Sequence, residues 1–181
     1  TTGFHVQIGK GAGFHLAEAA RLNVSLPATI TVGGPPALIL GAIAPLPENV
    51  PELLLTSLVV GSRVPLAANP INELPVVQSA EFVLVGEVLP GERRLEGPFG
   101  DHYGYYSLAH EYPVFRCKAL LYRENPIFAA TVVGKPRQED FYLGDYLQEL
   151  LSPLFPVVMP AVSDLWSYGE TGYHSLAAAV V

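Results

Sequence analysis

Two carboxylates five residues apart, Glu96 and Asp101, fall in the run Glu96-Gly97-Pro98-Phe99-Gly100-Asp101-His102-Tyr103-Gly104-Tyr105-Tyr106. Such a pair suits proton transfer when both groups open on one cleft. Like-charge repulsion and desolvation then raise the pKa of one acid, which keeps a proton to donate. No helix runs through Gly97-Pro98, since proline lacks an amide donor and glycine costs backbone entropy. The expectation is a shaped loop that carries both acids and lets them converge. His102 and three tyrosines follow within five residues, and a loop this dense in acids, small residues and aromatics reads as a site. The same residues also suit a tight turn with two solvated acids, and spacing alone does not separate the two readings. His102 by itself reads as a hydrogen-bonding loop residue.

A third acid, Glu52, sits in the first turn of a helix predicted to run to about Val60 and stop at Gly61. Asn49 is placed to cap that helix, with Pro51 in its first turn, where a missing amide costs nothing. The helix dipole favours an anion there, so Glu52 reads first as a helix-start residue.

The elements that must position these acids are mostly strands. Alternation predicts strands over Ala80–Val88 (closed by Pro90-Gly91) and Tyr112–Tyr122; the β-branched apolar run Leu26–Val32 reads as another, Ile127–Val133 follows Tyr112–Tyr122 at hairpin distance, and a last turn and strand cover Trp166–Val181. Helical patterns cover Phe14–Leu22, Ala37–Ala44 and Asp140–Leu151. Seventeen glycines and seventeen prolines imply many turns. Parallel βαβ alternation is missing. The expected fold is mainly β (α+β), an antiparallel barrel or open sheet with a few helices outside it.

Composition bounds the function. A chain of 181 residues fits one domain with a real core, and half of its residues are hydrophobic. No apolar run reaches the roughly 18 residues of a membrane span. A net charge of −7 argues against a nucleic-acid partner. The single cysteine, Cys117, lies in an alternating run and reads as a strand residue, and one cysteine suits a reducing, cytoplasmic compartment. Walker, dinucleotide-binding, zinc and serine-elbow motifs are missing, and Gly9-Lys10-Gly11-Ala12-Gly13 is a weak phosphate loop. Thr1 opens on the alternating run Phe4–Ile8, and the apolar run Ser175–Val181 ends without a cap. The expectation is therefore an excised piece of a longer protein.

The run from Glu96 to Tyr106 resembles the signature of the UbiD family of decarboxylases. The resemblance extends to Leu26–Ala37 with its Gly33-Gly34-Pro35-Pro36 turn, to Ala44–Glu48 and the helix from Glu52 to Gly61, and to Ala80–Val88 with Pro90-Gly91. It implies that residues 1–181 form a central split β-barrel domain of the flavin-reductase type, between N-terminal and C-terminal domains that this piece lacks. It also implies a reversible decarboxylation of aromatic or α,β-unsaturated acids, such as a polyprenyl-hydroxybenzoate, with prenylated FMN held by Mn²⁺ and K⁺. By the same resemblance Glu96 is the acid of a network with an arginine, and Asp101 is the second acid and proton donor. Glu52 is a metal ligand, and the backbone near Ala42, Ala44 and Pro45 holds K⁺ and the flavin edge. The implied partners are a small-molecule acid, a flavin prenyltransferase that supplies the cofactor, further copies of the chain, and a membrane surface touched peripherally for a polyprenyl substrate.

The sequence departs from that pattern in two ways. The network arginine and a metal-binding asparagine are expected upstream of Thr1. The metal-ligand histidine is expected near Gly9, with His5 and His15 nearby but out of register. Two functions from different classes follow. One is the core of a prenylated-FMN decarboxylase, favoured by the acid pair. The other is a non-catalytic split-barrel module for flavin binding or subunit assembly, favoured by Gly9.

Overall fold

The computed structural model describes residues 6, 11–46, 50–173 and 175–181. The expected strand over Phe4–Ile8, the Gly9-Lys10 part of the weak phosphate loop, His5 and the Asn49 cap all lie outside the described residues. The chain divides into two compact units. The first comprises Thr1–Ala42, Val50–Gly97 and Ala109–Ala129; the second comprises Ile43–Asn49, Pro98–Leu108 and Ala130–Val181.

The first unit is organised by three antiparallel strands, β1 (Leu26–Val32), β4 (Phe82–Glu96) and β5 (His110–Tyr122), with β4 in the middle. Two short strands, β2 (Leu66–Ala67) and β3 (Val76–Val77), pair with each other. Alternation along β4 sends Val83 and Val85 to the core, where they are 4 % and 0 % exposed. They pack with Val76, Val77 and Ala80, and against Leu38, Leu53 and Leu121. Each fully buried valine contributes about 1.5–3 kcal/mol.

Pro90-Gly91 does not close β4 as the alternation suggests. The strand continues to Glu96, and the stretch Leu89–Glu92 bulges opposite Val114, between the pairs Val88–Phe115 and Arg93–Pro113. Proline is tolerated there because a bulge asks for no ladder amide, and Gly91 takes the positive φ of +73° that the bend needs. A second bulge lies on β5, where Lys118 is the extra residue opposite the Val85–Gly86 step, and a Cβ on Gly86 would stand 2.0 Å from the carbonyl oxygen of Arg116.

Three helices flank this sheet in sequence: α1 (Gly11–Leu22), α2 (Pro36–Ile43) and α3 (Glu52–Val60). The first begins earlier than its apolar pattern and ends at Asn23, whose φ of +53° stops the helix. The turn Gly33-Gly34, both at positive φ, leads into α2. Pro51 stands at the N-cap of α3 rather than in its first turn, and Gly61 closes that helix in the left-handed region. Ile127–Val133 is not a strand. The Ile127 amide bonds to the carboxylate of Glu81 in place of a ladder partner, and Asn125 turns the chain with a φ of +52°. Cys117 is a strand residue, and it is exposed.

The second unit contains α4 (Glu139–Leu151), α5 (Phe155–Val158), and the antiparallel ribbon of β6 (Asp164–Ser167) and β7 (Ala177–Val180). The whole is a mixed α/β fold with antiparallel sheets. Among the described residues no sheet closes into a barrel, because the largest has three strands, so the mainly β reading underweighted the helices.

Ion pairs stitch β4 to β5. Arg116 binds Glu92 at 2.7 Å and Lys118 binds Glu87 at 2.7 Å, and these bonds hold both carboxyls below the usual carboxylate range. A lowered folded pKa adds stability above the unfolded value of about 4.3, and that stability is lost as pH falls through the folded value. Urea midpoints between pH 7 and pH 3 should therefore fall less steeply in Arg116→Gln than in the wild type. Gly86→Ala forces a backbone shift and should lower the unfolding free energy by about 1–3 kcal/mol, read by chemical denaturation.

Candidate active site

Glu96 is the last residue of β4, in register opposite His110, and is not on the loop. Gly97 follows with a φ of +99°, and the chain then enters the second unit. Asp101 lies in that second unit, in a loop made rigid by its own hydrogen bonds. The Ser107 amide donates to Phe99 O at 2.8 Å, and Gly100 bridges Tyr106. The Asp101 amide donates to Tyr105 O, and the Gly104 amide donates back to Asp101 O, both at 3.0 Å. The Tyr103 amide donates to Asp101 Oδ1 at 2.7 Å, the Asx-turn geometry that aspartate favours. One carboxylate oxygen is thereby fixed, and the direction of Oδ2 is fixed with it.

His102 Nε2–H donates to Gly172 O at 3.1 Å, and its ring lies 4.3 Å from that of Tyr103. Lys135 also lies against the loop, with Nζ 5.8 Å from the centre of the Tyr105 ring.

Glu52 opens α3 with its side chain exposed, and it lines an apolar cleft of about 190 Å³ with Thr31, Gly33, Leu38, Ala42 and Thr56. Beside the cleft, α2 and α3 approach closely at Gly41. A Cβ there would lie 2.2 Å from Thr56 Oγ1 and 2.9 Å from Glu52 O. Thr56 is 2 % exposed, and its hydroxyl donates to Glu52 O at 3.0 Å, with Ala37 O at 3.3 Å. Sequence reasoning missed this contact, although a lone glycine inside the apolar helix Ala37–Ala44 was its signal. Ala42 lines the cleft with Glu52. Ala44 and Pro45 belong to the second unit, where the Ala44 carbonyl accepts the Leu46 amide at 2.8 Å.

A cavity of about 150 Å³ holds a benzene ring, so this cleft fits one edge of a flat ring system rather than a whole flavin. Its aliphatic walls suit such an edge. The metal fares differently: among the described residues no group of three His, Cys, Asp or Glu is arranged to hold an ion. Glu52 offers one donor, and the described residues do not complete the set.

The sequence profile of UbiD, the 3-octaprenyl-4-hydroxybenzoate carboxy-lyase Rift-related domain, matches residues 1–136. The chain belongs to the UbiD family. A Chlamydia pneumoniae protein named as a subunit of 4-hydroxybenzoate decarboxylase is 54 % identical over all of the chain, which spans 31 % of that relative. An Archaeoglobus fulgidus protein is 36 % identical over 98 % of the chain, which spans 37 % of it. The UbiD chain is thus about a third of the length of these relatives. Among solved structures, the vanillic acid decarboxylase of Sedimentibacter hydroxybenzoicus in closed form matches 88 % of the chain and 34 % of its own, with a TM-score of 0.80 and 29 % identity. The UbiD-class enzyme HmfF of Pelotomaculum thermopropionicum, in complex with prFMN, matches 96 % of the chain and 40 % of its own, with a TM-score of 0.79. At 24 % identity the HmfF match shows the fold.

The helix contact under the cleft gives a test. Gly41→Ala should lower the unfolding free energy by about 1–3 kcal/mol. Gly11→Ala, where an added Cβ meets nothing within 4 Å, should not lower it in the same denaturation experiment.

Proposed function

We propose that this chain is the central part of a prenylated-FMN-dependent carboxy-lyase that reversibly decarboxylates aromatic or α,β-unsaturated acids, 4-hydroxybenzoate and its polyprenyl forms among them. The observation that carries this reading is the 54 % identity, across the whole chain, with the Chlamydia pneumoniae decarboxylase protein. The three-stranded sheet, bent by two bulges, is on this reading one wall of a split barrel.

Loss of CO₂ from an sp² carbon leaves a carbanion that no side chain here can stabilise, and the bound flavin supplies the electron sink. The chain's own residues handle the proton and the positioning. Asp101, with Oδ1 held by the Tyr103 amide, is the acid that delivers a proton to the carbon that lost CO₂. Glu96, at the end of β4, is the network acid that balances a partner arginine. Ala42 and the cleft walls seat a ring edge, and the backbone of Ala44 and Pro45 offers carbonyls toward K⁺. Glu52 would give one carboxylate toward Mn²⁺. A flavin prenyltransferase supplies the cofactor, the full-length protein is a cytoplasmic homo-oligomer, and a polyprenyl substrate brings it to a membrane surface peripherally.

The second reading is a non-catalytic module for flavin binding or assembly. It is favoured by Gly9 where a histidine is expected.

The full-length protein reconstituted with prenylated FMN separates the two. Asp101→Asn keeps the shape and removes the exchangeable proton, so decarboxylation should fall by about 10²–10⁴ while the flavin absorbance of the bound protein persists. Wild-type turnover in Asp101→Asn would refute its role. Wild-type turnover in Glu96→Gln would remove the network acid, and no turnover in the wild type would favour the module.

A further inference from the structure

The Asp101 loop is tied to α4 through residues of the second unit that lie beyond the stretch the family profile matches. Tyr173 has a φ of +63°, a conformation that residues with a side chain seldom adopt. Its ring presses on two glycines: a Cβ on Gly144 would stand 2.4 Å from Tyr173 Cζ, and one on Gly169 would stand 2.8 Å from it. Its hydroxyl bonds to the carbonyl of Phe141 and to Asp145 Oδ1, both on α4. Burial first, and then the Asp145 bond, push the phenol's pKa well up, so it remains a protonated donor.

The preceding residue, Gly172, meets the Asp101 loop directly. Its carbonyl accepts the His102 Nε2–H bond at 3.1 Å. A Cβ on Gly172 would lie 2.5 Å from Tyr103 Cε1 and 3.0 Å from His102 Nε2, and its φ is +69°. Tyr103 O–H also lies 3.4 Å from Ser175 Oγ. The amide of this same Tyr103 holds Asp101 Oδ1. A strained non-glycine residue persists only where its surroundings over-determine it, and such residues concentrate at working sites.

We propose that Tyr173 and Gly172 form a latch that positions the Asp101 carboxyl. Tyr173 pins the turn to α4, and Gly172 gives the His102–Tyr103 pair a seat with no room to shift. Both are positioning residues, since neither reaches the carboxyl itself. The catalytic consequence rests on the reading of Asp101 as proton donor; the positioning does not.

The test uses the full-length protein loaded with prenylated FMN and reads hydrogen–deuterium exchange alongside kinetics, because exchange reports local opening without reference to chemistry. In Tyr173→Phe, exchange over residues 98–108 should rise while residues 82–96 stay unchanged. Turnover should fall by about 10²-fold, as expected for an acid misplaced by about 1 Å, with KM little changed. Asp145→Asn retains an acceptor for the phenol and should keep wild-type exchange. Gly172→Ala, which clashes from the other side, should reproduce the Tyr173→Phe effect, and it serves alone if Tyr173→Phe does not fold. Wild-type exchange over 98–108 in Tyr173→Phe, or in Gly172→Ala where that variant serves alone, overturns the latch. Raised exchange with wild-type turnover retains the latch and removes the proton-donor role from Asp101.

Discussion

The antiparallel ladder through β4 is the constraint on which the first unit depends. One strand pairs with β1 on one side and β5 on the other, buries Val83, Val85 and Val88, and still delivers Glu96 at its far end. A flat strand of that length would not bend around a core. The bulge at Leu89–Glu92 on β4 and the one at Lys118 on β5 let the ladder change direction while the ends of β4 keep their partners. The position of Glu96 is therefore a result of ladder register, and that register is fixed by which face of β4 is hydrophobic.

The Asp101 loop is organised on a different principle. Its order comes from short-range hydrogen bonds and from glycines that admit close neighbours, with few buried apolar residues. Aspartate at 101, glycine at 104 and serine at 107 each bond to backbone groups nearby. Such a loop holds its own shape, and its placement then depends on what grips its outer side. Gly172 and Lys135 both touch it there.

Local pattern made part of this legible. The alternation of Leu26–Val32, the apolar run of α2 and the left-handed stop at Gly61 are properties of neighbouring residues, and each was visible in the sequence. Pro90-Gly91 misled because the same dipeptide serves a turn or a bulge, and only the partner strand decides between them. Ile127–Val133 has the residues of a strand, but the Glu81 carboxylate takes the Ile127 amide. The Gly41–Thr56 and Gly172–Tyr103 contacts join residues far apart in sequence, and no local rule reaches that distance. Asp101 was found through its neighbours in sequence; what holds it in place was not.

The glycines also differ in what their neighbours are made of, and this decides how the sequence is free to drift. A side chain at 86 would meet the backbone of Arg116, so no change of side chain elsewhere relieves it. A side chain at 144 would meet the ring of Tyr173, so a smaller residue at 173 opens the space. Position 86 is closed to compensation, whereas a side chain at 144 becomes possible only once residue 173 is smaller.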